Sequence, residues 1–302
     1  MAQSIIASKD LEEDIDRYLR MGFRMDMIMP ADAPREAVVS RNGESIRLLS
    51  NLQGRPEVRT HNGWITGRAG MMYRDLIPGR AGGRIVASHI RLAEDGPVPD
   101  YVHYHKVQFQ MIYCLRGRIL VVYEDQGPPF WLEAGDCVLQ PAEIRHRVLE
   151  SQGQAEVVEV SMPAVHETWV DHEIDLPTPE VRPDRDFDGQ RFCRYVRATA
   201  EWRSDADNFE YSDTGIGEAT FGLANVRLVR SAKGGQIRSD ADPKIRPAFY
   251  FCFVTDGEIN ATSQGIKNIN VKRNENVFFP KDVEWSILVP KDISFLEVSI
   301  PV

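Results

Sequence analysis

The sequence predicts a mainly β protein, with a small N-terminal module of order β-α-β-β-β followed by two similar β-barrels. Three observations lead to this prediction. Residues 1–52 show the alternation expected of strands around one short amphipathic helix. From about residue 60, Gly and Pro divide the chain into short strand-like runs about every 8–12 residues, as in β-sandwiches and barrels. The two halves of this later region also resemble each other at a nearly constant offset.

The N-terminal module begins with a short apolar run at residues 4–7 and continues into a helix. Asp10, with Glu13 three residues later, matches a capping box at the start of this helix, and apolar side chains recur along one helix face. Residues 23–29 then alternate between apolar and polar side chains. Two further strand-like runs flank the turn at Asn42-Gly43, which completes the predicted order.

The stretch DIDRYLRMGFRMDMIMPADAPREAVVSRNG in this module is similar to one module of the vicinal oxygen chelate family, the glyoxalase-like proteins. That family normally pairs two such modules around a metal. Here there is one, without a His or Glu at the strand positions that would supply ligands. The resemblance therefore implies a structural or dimer-forming role for the module.

The two later halves repeat each other. Three segments recur at offsets of 138, 140 and 139 residues, measured at Tyr73 and Tyr211, Gly117 and Gly257, and Pro141 and Pro280. The pairs are MYRDLIPGR with EYSDTGIGE, IYCLRGRI with FCFVTDGEI, and GDCVLQP with NENVFFP. One duplicated β-domain explains these offsets better than chance. Because residues 176–190 are rich in Pro and acidic side chains, they predict a linker, and we expect domains at 1–55, 56–180 and 181–302.

Composition and charge indicate a folded protein with a small-molecule partner. Hydrophobic residues make up 42% of the 302-residue chain and charged residues 27%, as in ordinary globular proteins. The net charge of −9 argues against nucleic-acid binding, which draws on excess Lys and Arg. Because we find neither a signal-peptide pattern nor a run of about 18 apolar residues, we expect a cytoplasmic protein without a membrane span. The four dispersed cysteines predict buried free thiols.

His103 and His105 lie two residues apart in the strand-like stretch HYHKVQFQ. Alternation places both imidazoles on one face of a strand, so they converge if that face lines the interior of a barrel. An isolated pair of this kind is more often a surface feature or a hydrogen-bonded part of a core than a metal site. The spacing of the surrounding residues therefore decides its interpretation.

That spacing resembles the two motifs of the cupin superfamily. Six positions fit the pattern in order, namely His103, His105, Gly117, Gly135, Pro141 and His146. Two positions depart from it, because Gln110 stands where Glu is common and Glu143 stands where Gly is common. The resemblance implies two cupin barrels, with a metal in the first bound by the three histidines and Gln110.

The implied ligands are three imidazole nitrogens and the amide oxygen of Gln110. This set suits one divalent transition metal, such as Zn, Fe, Ni or Mn, and leaves coordination positions open. A neutral amide in place of a carboxylate raises the net charge around the metal, so a bound oxygen is polarised more strongly. The pattern also resembles the cupin that linearises unsaturated uronates, in which the metal is a Lewis acid.

Further candidate residues surround this motif. Glu159, in the strand AEVVEVSMP, matches a carboxylate near the metal of the uronate-opening cupins and is our candidate for proton transfer. Arg80 and Arg84 have the chemistry to clamp a substrate carboxylate, and Tyr101 and Tyr113 are candidates for the mouth of the pocket. Arginines and tyrosines are also common as surface charges and packing residues.

The second half has no equivalent ligand set. The aligned positions hold Pro243, Ile245, Tyr250 and Trp285, which cannot supply three imidazoles. The stretch PAFYFCFV, residues 247–254, is typical of a dry core strand. We therefore expect the second barrel to keep the fold without the metal.

Together these features favour an enzyme that uses a mononuclear divalent metal as a Lewis acid on a small oxygenated substrate, in a lyase or isomerase reaction. The alternatives are an Fe(II) or Ni(II) dioxygenase and a non-catalytic protein that binds or senses a metabolite. We also expect a homodimer, because the single N-terminal module and the metal-free barrel each present a surface that needs a partner.

Overall fold

The computed structural model describes residues 3–50, 63–204, 209–240, 244, 246–263 and 266–301. They form two compact units, one of Met1–Ala134 with Gln140–Asp188 and one of Gly135–Leu139 with Gly189–Val302. Strands dominate both units, which confirms the predicted mainly β class. The predicted boundary at residue 55 lies outside the described residues, and the three domain limits stay a prediction. No helix within the described ranges is long and apolar enough to cross a membrane.

The N-terminal module has the predicted order of elements. These are β1 Gln3–Ser8, α1 Leu11–Arg20, β2 Arg24–Met29, β3 Glu36–Arg41 and β4 Glu44–Ser50. Asp10 caps α1, since its Oδ1 accepts a hydrogen bond of 3.1 Å from the backbone N–H of Glu13. At the turn between β3 and β4, Asn42 and Gly43 both have positive φ, as a tight hairpin requires. The sheet order is β1-β4-β3-β2, with β1 parallel to β4.

The helix covers one face of this sheet. Its apolar stripe packs on side chains from the strands to form a small core of Leu11, Ile15, Tyr18, Phe23, Ala37, Val39, Ile46 and Leu48. Burying each large apolar side chain contributes about 1.5–3 kcal/mol to the free energy of folding. The packing of this one helix on the sheet therefore stabilises the module.

Residues 63–175 form a series of strands with two short helical turns. They are β5 Ile65–Thr66, a 3₁₀ turn Arg68–Gly70, β6 Met72–Asp75, α2 Arg80–Gly83, β7 Val86–Arg91, β8 Gly96–Pro97, β9 His103–His105, β10 Phe109–Tyr123, β11 Phe130–Glu133, β12 Cys137–Leu139, β13 His146–Met162 and β14 Thr168–Val170. The long strands β10 and β13 pair antiparallel over their whole length, and register shifts along the pair let it bend. Strand β7 flanks β13, and β9 lies between β13 and β14.

The N-terminal sheet continues directly into these strands. Strand β2 pairs antiparallel with β14, where Ile28 lies opposite Thr168 and Met27 opposite Trp169. One edge of the module is therefore closed within its own unit. The predicted homodimer, which we based partly on an uncovered edge, stays a prediction.

The second unit contains a similar series of strands. They are β15 Cys193–Tyr195, a 3₁₀ turn Arg197–Thr199, β16 Arg203–Ser204, β17 Glu210–Asp213, α3 Ile216–Ala219, β18 Asn225–Ser231, β19 Gly235–Arg238, β20 Phe249–Asp256, β21 Glu258–Ser263, β22 Ile266–Lys272, β23 Asn276–Pro280, β24 Trp285–Val289 and β25 Ile293–Ile300. Two sheets, β16-β17-β18-β25-β20-β23 and β19-β24-β21-β22, enclose a shared aromatic and aliphatic core. Strand β12 belongs to this unit, where it pairs with β15.

Strand pairing follows the same register in both units. Gln110 lies opposite Ser161 as Tyr250 lies opposite Ser299, and Glu159 lies opposite Ser88 as Glu297 lies opposite Arg227. The offsets between these positions match those of the sequence repeat. The pairing therefore supports one duplicated β-domain.

Candidate metal centre

Three histidines meet inside the first unit. His103 and His105 alternate on the short strand β9, and His146 begins β13 directly opposite His103. The ring centroids of His103 and His146 are 4.2 Å apart, and the other two centroid distances are 5.1 and 5.2 Å. One ring nitrogen from each histidine lies within 4.8 Å of the others, and all three side chains are buried.

Hydrogen bonds fix the orientation of each ring. In His103 and His146, Nδ1 lies 2.8 and 2.9 Å from the backbone carbonyl oxygen two residues earlier in the chain. Because a carbonyl oxygen only accepts, Nδ1 carries the proton in both rings and Nε2 keeps its lone pair. Nδ1 of His105 lies 2.9 Å from the hydroxyl of Thr168, so its Nε2 also remains for a ligand. Metal-binding histidines are commonly oriented in this way.

Burial lowers the pKa of all three imidazoles. Loss of solvation is the largest cause for each ring, and the positive charge of nearby Arg68 acts in the same direction. The pKa of His146 falls to about 4, while those of His103 and His105 fall well below the ordinary value of 6.5. The neutral imidazole that a metal requires is therefore the stable form at neutral pH.

We expect metal binding at pH 6 to release almost no protons from these histidines. A group with a pKa near 4 is about 1% protonated two pH units higher, whereas an ordinary exposed histidine is more than half protonated. Calorimetric titration with Zn²⁺ in buffers of different ionisation enthalpy measures the number of protons released on binding. The binding enthalpy should not depend on the buffer at pH 6, and affinity should fall only as the pH approaches 4. Release of one or more protons at pH 6 would contradict the prediction.

Gln110 places a buried amide in the same cavity. Its Nε2 donates a hydrogen bond of 3.2 Å to Oε1 of Glu159, while its Oε1 is buried and has no hydrogen-bond partner. An unpaired buried acceptor of this kind costs about 1–3 kcal/mol, and a bound cation removes the cost. The donor set of three imidazole lone pairs and an unpaired amide oxygen therefore fits a divalent transition metal.

The carboxylate of Glu159 lies beside this amide. It is half-buried on β13, and its Oε1 accepts hydrogen bonds from Gln110 and, at 2.8 Å, from the hydroxyl of Ser161. These donors hold one carboxylate oxygen and leave Oε2 able to accept a proton. Glu159 is therefore in a position to act on a molecule bound in the cavity.

The cavity around these groups has a volume of about 90 Å³. Its walls are mostly aliphatic and include Val86, Ile90, Ile112, Ile119, Val121 and Val157. The polar groups, which include the three histidines, Gln110 and Glu159, line the same space. Apolar walls with a few convergent polar groups are typical of a small-molecule site.

Comparison with known proteins agrees with this arrangement. Residues 89–161 match the family model of the Cupin domain, and this range contains the three histidines, Gln110 and Glu159. Residues 89–161 are therefore similar in sequence to a cupin domain. Comparison with curated protein sequences gives no match.

Solved structures extend the likeness to both units. Salicylate 1,2-dioxygenase from Pseudaminobacter salicylatoxidans aligns with a TM-score of 0.57 at 14% identity, over 76% of this chain and 76% of that chain. Oxalate decarboxylase from Bacillus subtilis gives 0.53 at 13% identity, over 76% and 72%. An 11S globulin from Wrightia tinctoria, described with an auxin binding site, gives 0.52 at 9% identity, over 76% and 79%. Identities this low show a shared fold alone. The structural alignments confirm the predicted fold class of two cupin barrels.

The structure does not place the four predicted substrate-binding residues in the cavity that holds the three histidines. Arg80 forms ion pairs with two aspartates, including one of 2.9 Å to Asp75, and exposed Arg84 donates to the carbonyl oxygen of Ala81. Tyr101 is 54% exposed, and Tyr113 is buried in packing. None of these four is among the described residues that line the cavity.

A charged pair that was not predicted from the sequence lies next to the histidines. Arg68, in the 3₁₀ turn, reaches His103, since its Nη2 lies 3.1 Å from Nε2 of that ring. Its partner Asp100 has a fully buried carboxylate that lies 3.5 Å from Nδ1 of the same histidine. Asp100 could have been proposed from the sequence, because it is an acidic residue only three positions before His103. For Arg68 the sequence offered no such signal, because its partners Asp100 and His103 lie 32 and 35 residues away along the chain.

A fourth histidine was missed as well. His166 lines the same cavity, and its ring centroid lies 5.5 Å from that of His105. Its Nδ1 is 2.9 Å from the carbonyl oxygen of Pro163, so Nε2 keeps its lone pair. His166 is therefore a second group in the cavity that can accept a proton.

The second barrel lacks a metal site in its described part. Tyr250 and Trp285 hold two aligned ligand positions, and Trp285 stacks on Phe279 with centroids 4.7 Å apart. The hydroxyl of Tyr250 donates to Glu297 at 2.6 Å, and Glu297 is paired with Arg227. Pro243 and Ile245, the other aligned positions, lie outside the described residues. Within the described ranges, the three histidines of the first barrel form the one group of His, Cys, Asp or Glu side chains suited to a metal.

Proposed function

We propose that the protein is an enzyme that binds one divalent transition metal through His103, His105, His146 and Gln110, and uses it on a small oxygenated substrate. One observation carries this proposal: three buried imidazole lone pairs converge in a cavity that also holds an unpaired amide oxygen. Zn, Fe, Ni and Mn suit these donors. The ligand set is neutral because it contains no carboxylate. The bound metal therefore keeps its full positive charge and is strongly electrophilic.

When bound, the metal supplies a Lewis acid that polarises a carbonyl or hydroxyl oxygen of the substrate. Glu159 accepts a proton at Oε2 from the carbon or oxygen next to the polarised group, while Gln110 and Ser161 hold its other oxygen in place. The aliphatic walls limit the access of water to the site. These roles suit a lyase or isomerase reaction.

Oxygen consumption separates this reaction from the dioxygenase alternative. A Zn-loaded protein that converts keto acids or uronates without taking up O₂ supports the Lewis-acid role. If the substrate is converted only with Fe(II) or Ni(II), and O₂ is taken up, the protein is a dioxygenase and the Lewis-acid role is wrong. Reversible binding of a metabolite without any product favours a sensor or binding protein.

We expect Gln110→Glu to keep the metal and to lower a non-redox activity by about tenfold or more. The new carboxylate adds a negative charge beside the metal, and it lies where the amide now donates to Glu159 at 3.2 Å, so two carboxylates repel each other. Metal content by elemental analysis and turnover of the substrate found by screening measure both effects.

Gln108→Glu is the matched control, because it introduces the same charge two residues away on an exposed side chain. It should change neither metal content nor turnover. If Gln110→Glu turns over the substrate at the wild-type rate, the amide of Gln110 in the wild type does not contact the metal.

We also propose that the chain is a cytoplasmic homodimer and that its N-terminal module has the structural role of a single glyoxalase-like module. Two features support association. Strand β1 is the outer strand of the described module sheet, and its Ile5 is 67% exposed. An exposed apolar side chain on an outer strand suits pairing with a second copy.

A further inference from the structure

Arg68 stands in the cavity wall with its backbone and one end of its side chain fixed. Its backbone N–H donates a hydrogen bond of 3.1 Å to the carbonyl oxygen of Ala31, in the loop between β2 and β3. Its Nη1 pairs with Asp100, whose carboxylate also accepts from the backbone N–H groups of Tyr101 and Val148. Asp100 raises the pKa of Arg68 against the effect of burial, so the guanidinium remains charged. The side chain is 15% exposed.

The other edge of the guanidinium carries Nε and Nη2. Nε is buried and has no hydrogen-bond partner. Nη2 lies 3.1 Å from Nε2 of His103, which has one lone pair to offer. That lone pair cannot serve Arg68 and a metal at the same time. Once His103 binds the metal, the buried Nε and its neighbour Nη2 on this edge both lack an acceptor.

A carboxylate satisfies both donors at once. Its two oxygens match the spacing of the paired N–H groups on one edge of a guanidinium, and such bidentate pairs are among the strongest hydrogen-bonded contacts in proteins. A neutral carbonyl or hydroxyl group offers one acceptor and leaves a donor unpaired. The unpaired edge therefore selects an anion with two oxygens.

Charge balance points to the same class of ligand. A divalent metal and Arg68 bring three positive charges to the site, while Asp100 and Glu159 bring two negative charges. Asp32 also lines the cavity, but it is paired with Arg80. One positive charge remains in excess, and a monoanion neutralises it.

We propose that the substrate is a small monocarboxylate, and that Arg68 binds its carboxylate through Nε and Nη2 beside the metal. This proposal rests on the proposed function, since it needs the metal to occupy the lone pair of His103. It assigns to Arg68 the substrate-binding role that the sequence suggested for Arg80 and Arg84.

Binding of simple carboxylates to the Co²⁺-loaded full-length protein tests the proposal. The visible spectrum of Co²⁺ reports a ligand that enters the metal site, and no activity is required. Pyruvate and benzoate are the probes, with pyruvamide and benzamide as neutral controls of similar shape. We expect at least one of the two acids to bind at least tenfold more tightly than its amide.

Two variants separate the effect of Arg68 from folding. Arg68→Lys keeps the charge but removes the bidentate edge, and Arg68→Met with Asp100→Asn removes the buried charge pair together. Each should weaken binding of the preferred acid by tenfold or more, leave binding of the amide unchanged and keep one Co²⁺ per chain. Arg116→Met is the control, because this exposed arginine of the same barrel contacts Gln154 outside the cavity.

The possible failures differ from one another. If the wild type binds no Co²⁺, the proposed function is wrong and this proposal is wrong with it. If Co²⁺ binds but neither acid is preferred over its amide, the carboxylate class is wrong while the metal site stands. If both Arg68 variants bind the acid as tightly as the wild type, another group recognises the carboxylate.

Discussion

Replacing His103 and His105 together by Ala should abolish metal binding. Two of three imidazole ligands are lost, and ligands of this kind contribute about 3 kcal/mol each to transition-metal sites, so affinity falls by more than about 1,000-fold. The remaining His146 and Gln110 cannot hold a transition metal at micromolar concentration. Elemental analysis of the purified variant after dialysis against Zn²⁺ gives the stoichiometry.

His172→Ala is the matched control for this variant. His172 is exposed, and its Nε2 lies 2.9 Å from the backbone carbonyl of Met25, away from the cavity. This variant should keep one metal per chain. Stoichiometric metal in a folded His103→Ala, His105→Ala double variant would show that the metal lies elsewhere.

Replacing Trp285 by Ala should lower the free energy of unfolding of the second barrel by about 3–5 kcal/mol, as expected for a large buried aromatic side chain. Trp285 lies against Phe279 and Tyr250, with centroid distances of 4.7 and 4.3 Å, in the middle of the core. Its removal leaves a cavity that the two rings cannot fill without losing their own contacts. Urea unfolding followed by circular dichroism measures the change.

Leu288→Ala provides the comparison on the same strand. Leu288 is 54% exposed on the opposite face of β24, so its loss should cost less than about 1 kcal/mol. Equal losses for the two variants would mean that the stacked rings contribute no more than a surface side chain.

Two of the three clustered histidines were predictable from local information. Alternation along β9 fixes the relative direction of His103 and His105, and the period of a strand is visible directly in the sequence. His146 lies much further along the chain, and it was predicted only from the resemblance to the cupin motifs. The pairing of His146 with His103 then brings the third ring opposite the first.

The role that we propose for Arg68 was not predictable in the same way. Arg80 and Arg68 are the same residue type twelve positions apart, and contacts with distant loops decide their roles. Asp32 draws Arg80 into an ion pair, whereas the carbonyl of Ala31 positions the backbone of Arg68. Pairing between segments separated by more than 30 residues leaves no periodic signal in the chain.

Glu143 shows what a departure from a motif can cost. The sequence places it where Gly is common, and the structure gives it a φ of 58°. A residue with a side chain costs about 1–2 kcal/mol in this left-handed conformation, which explains why Gly is usual there. The backbone shape of the motif is therefore retained although the residue has changed.

The matching registers of the two barrels have a consequence for the second barrel. A carboxylate stands at the same strand position in both, as Glu159 in the first barrel and Glu297 in the second. In the second barrel its neighbours are Arg227 and Tyr250, which neutralise and cover it. The second barrel thus keeps a carboxylate at this strand position, with its charge held in an ion pair and aromatic rings packed beside it.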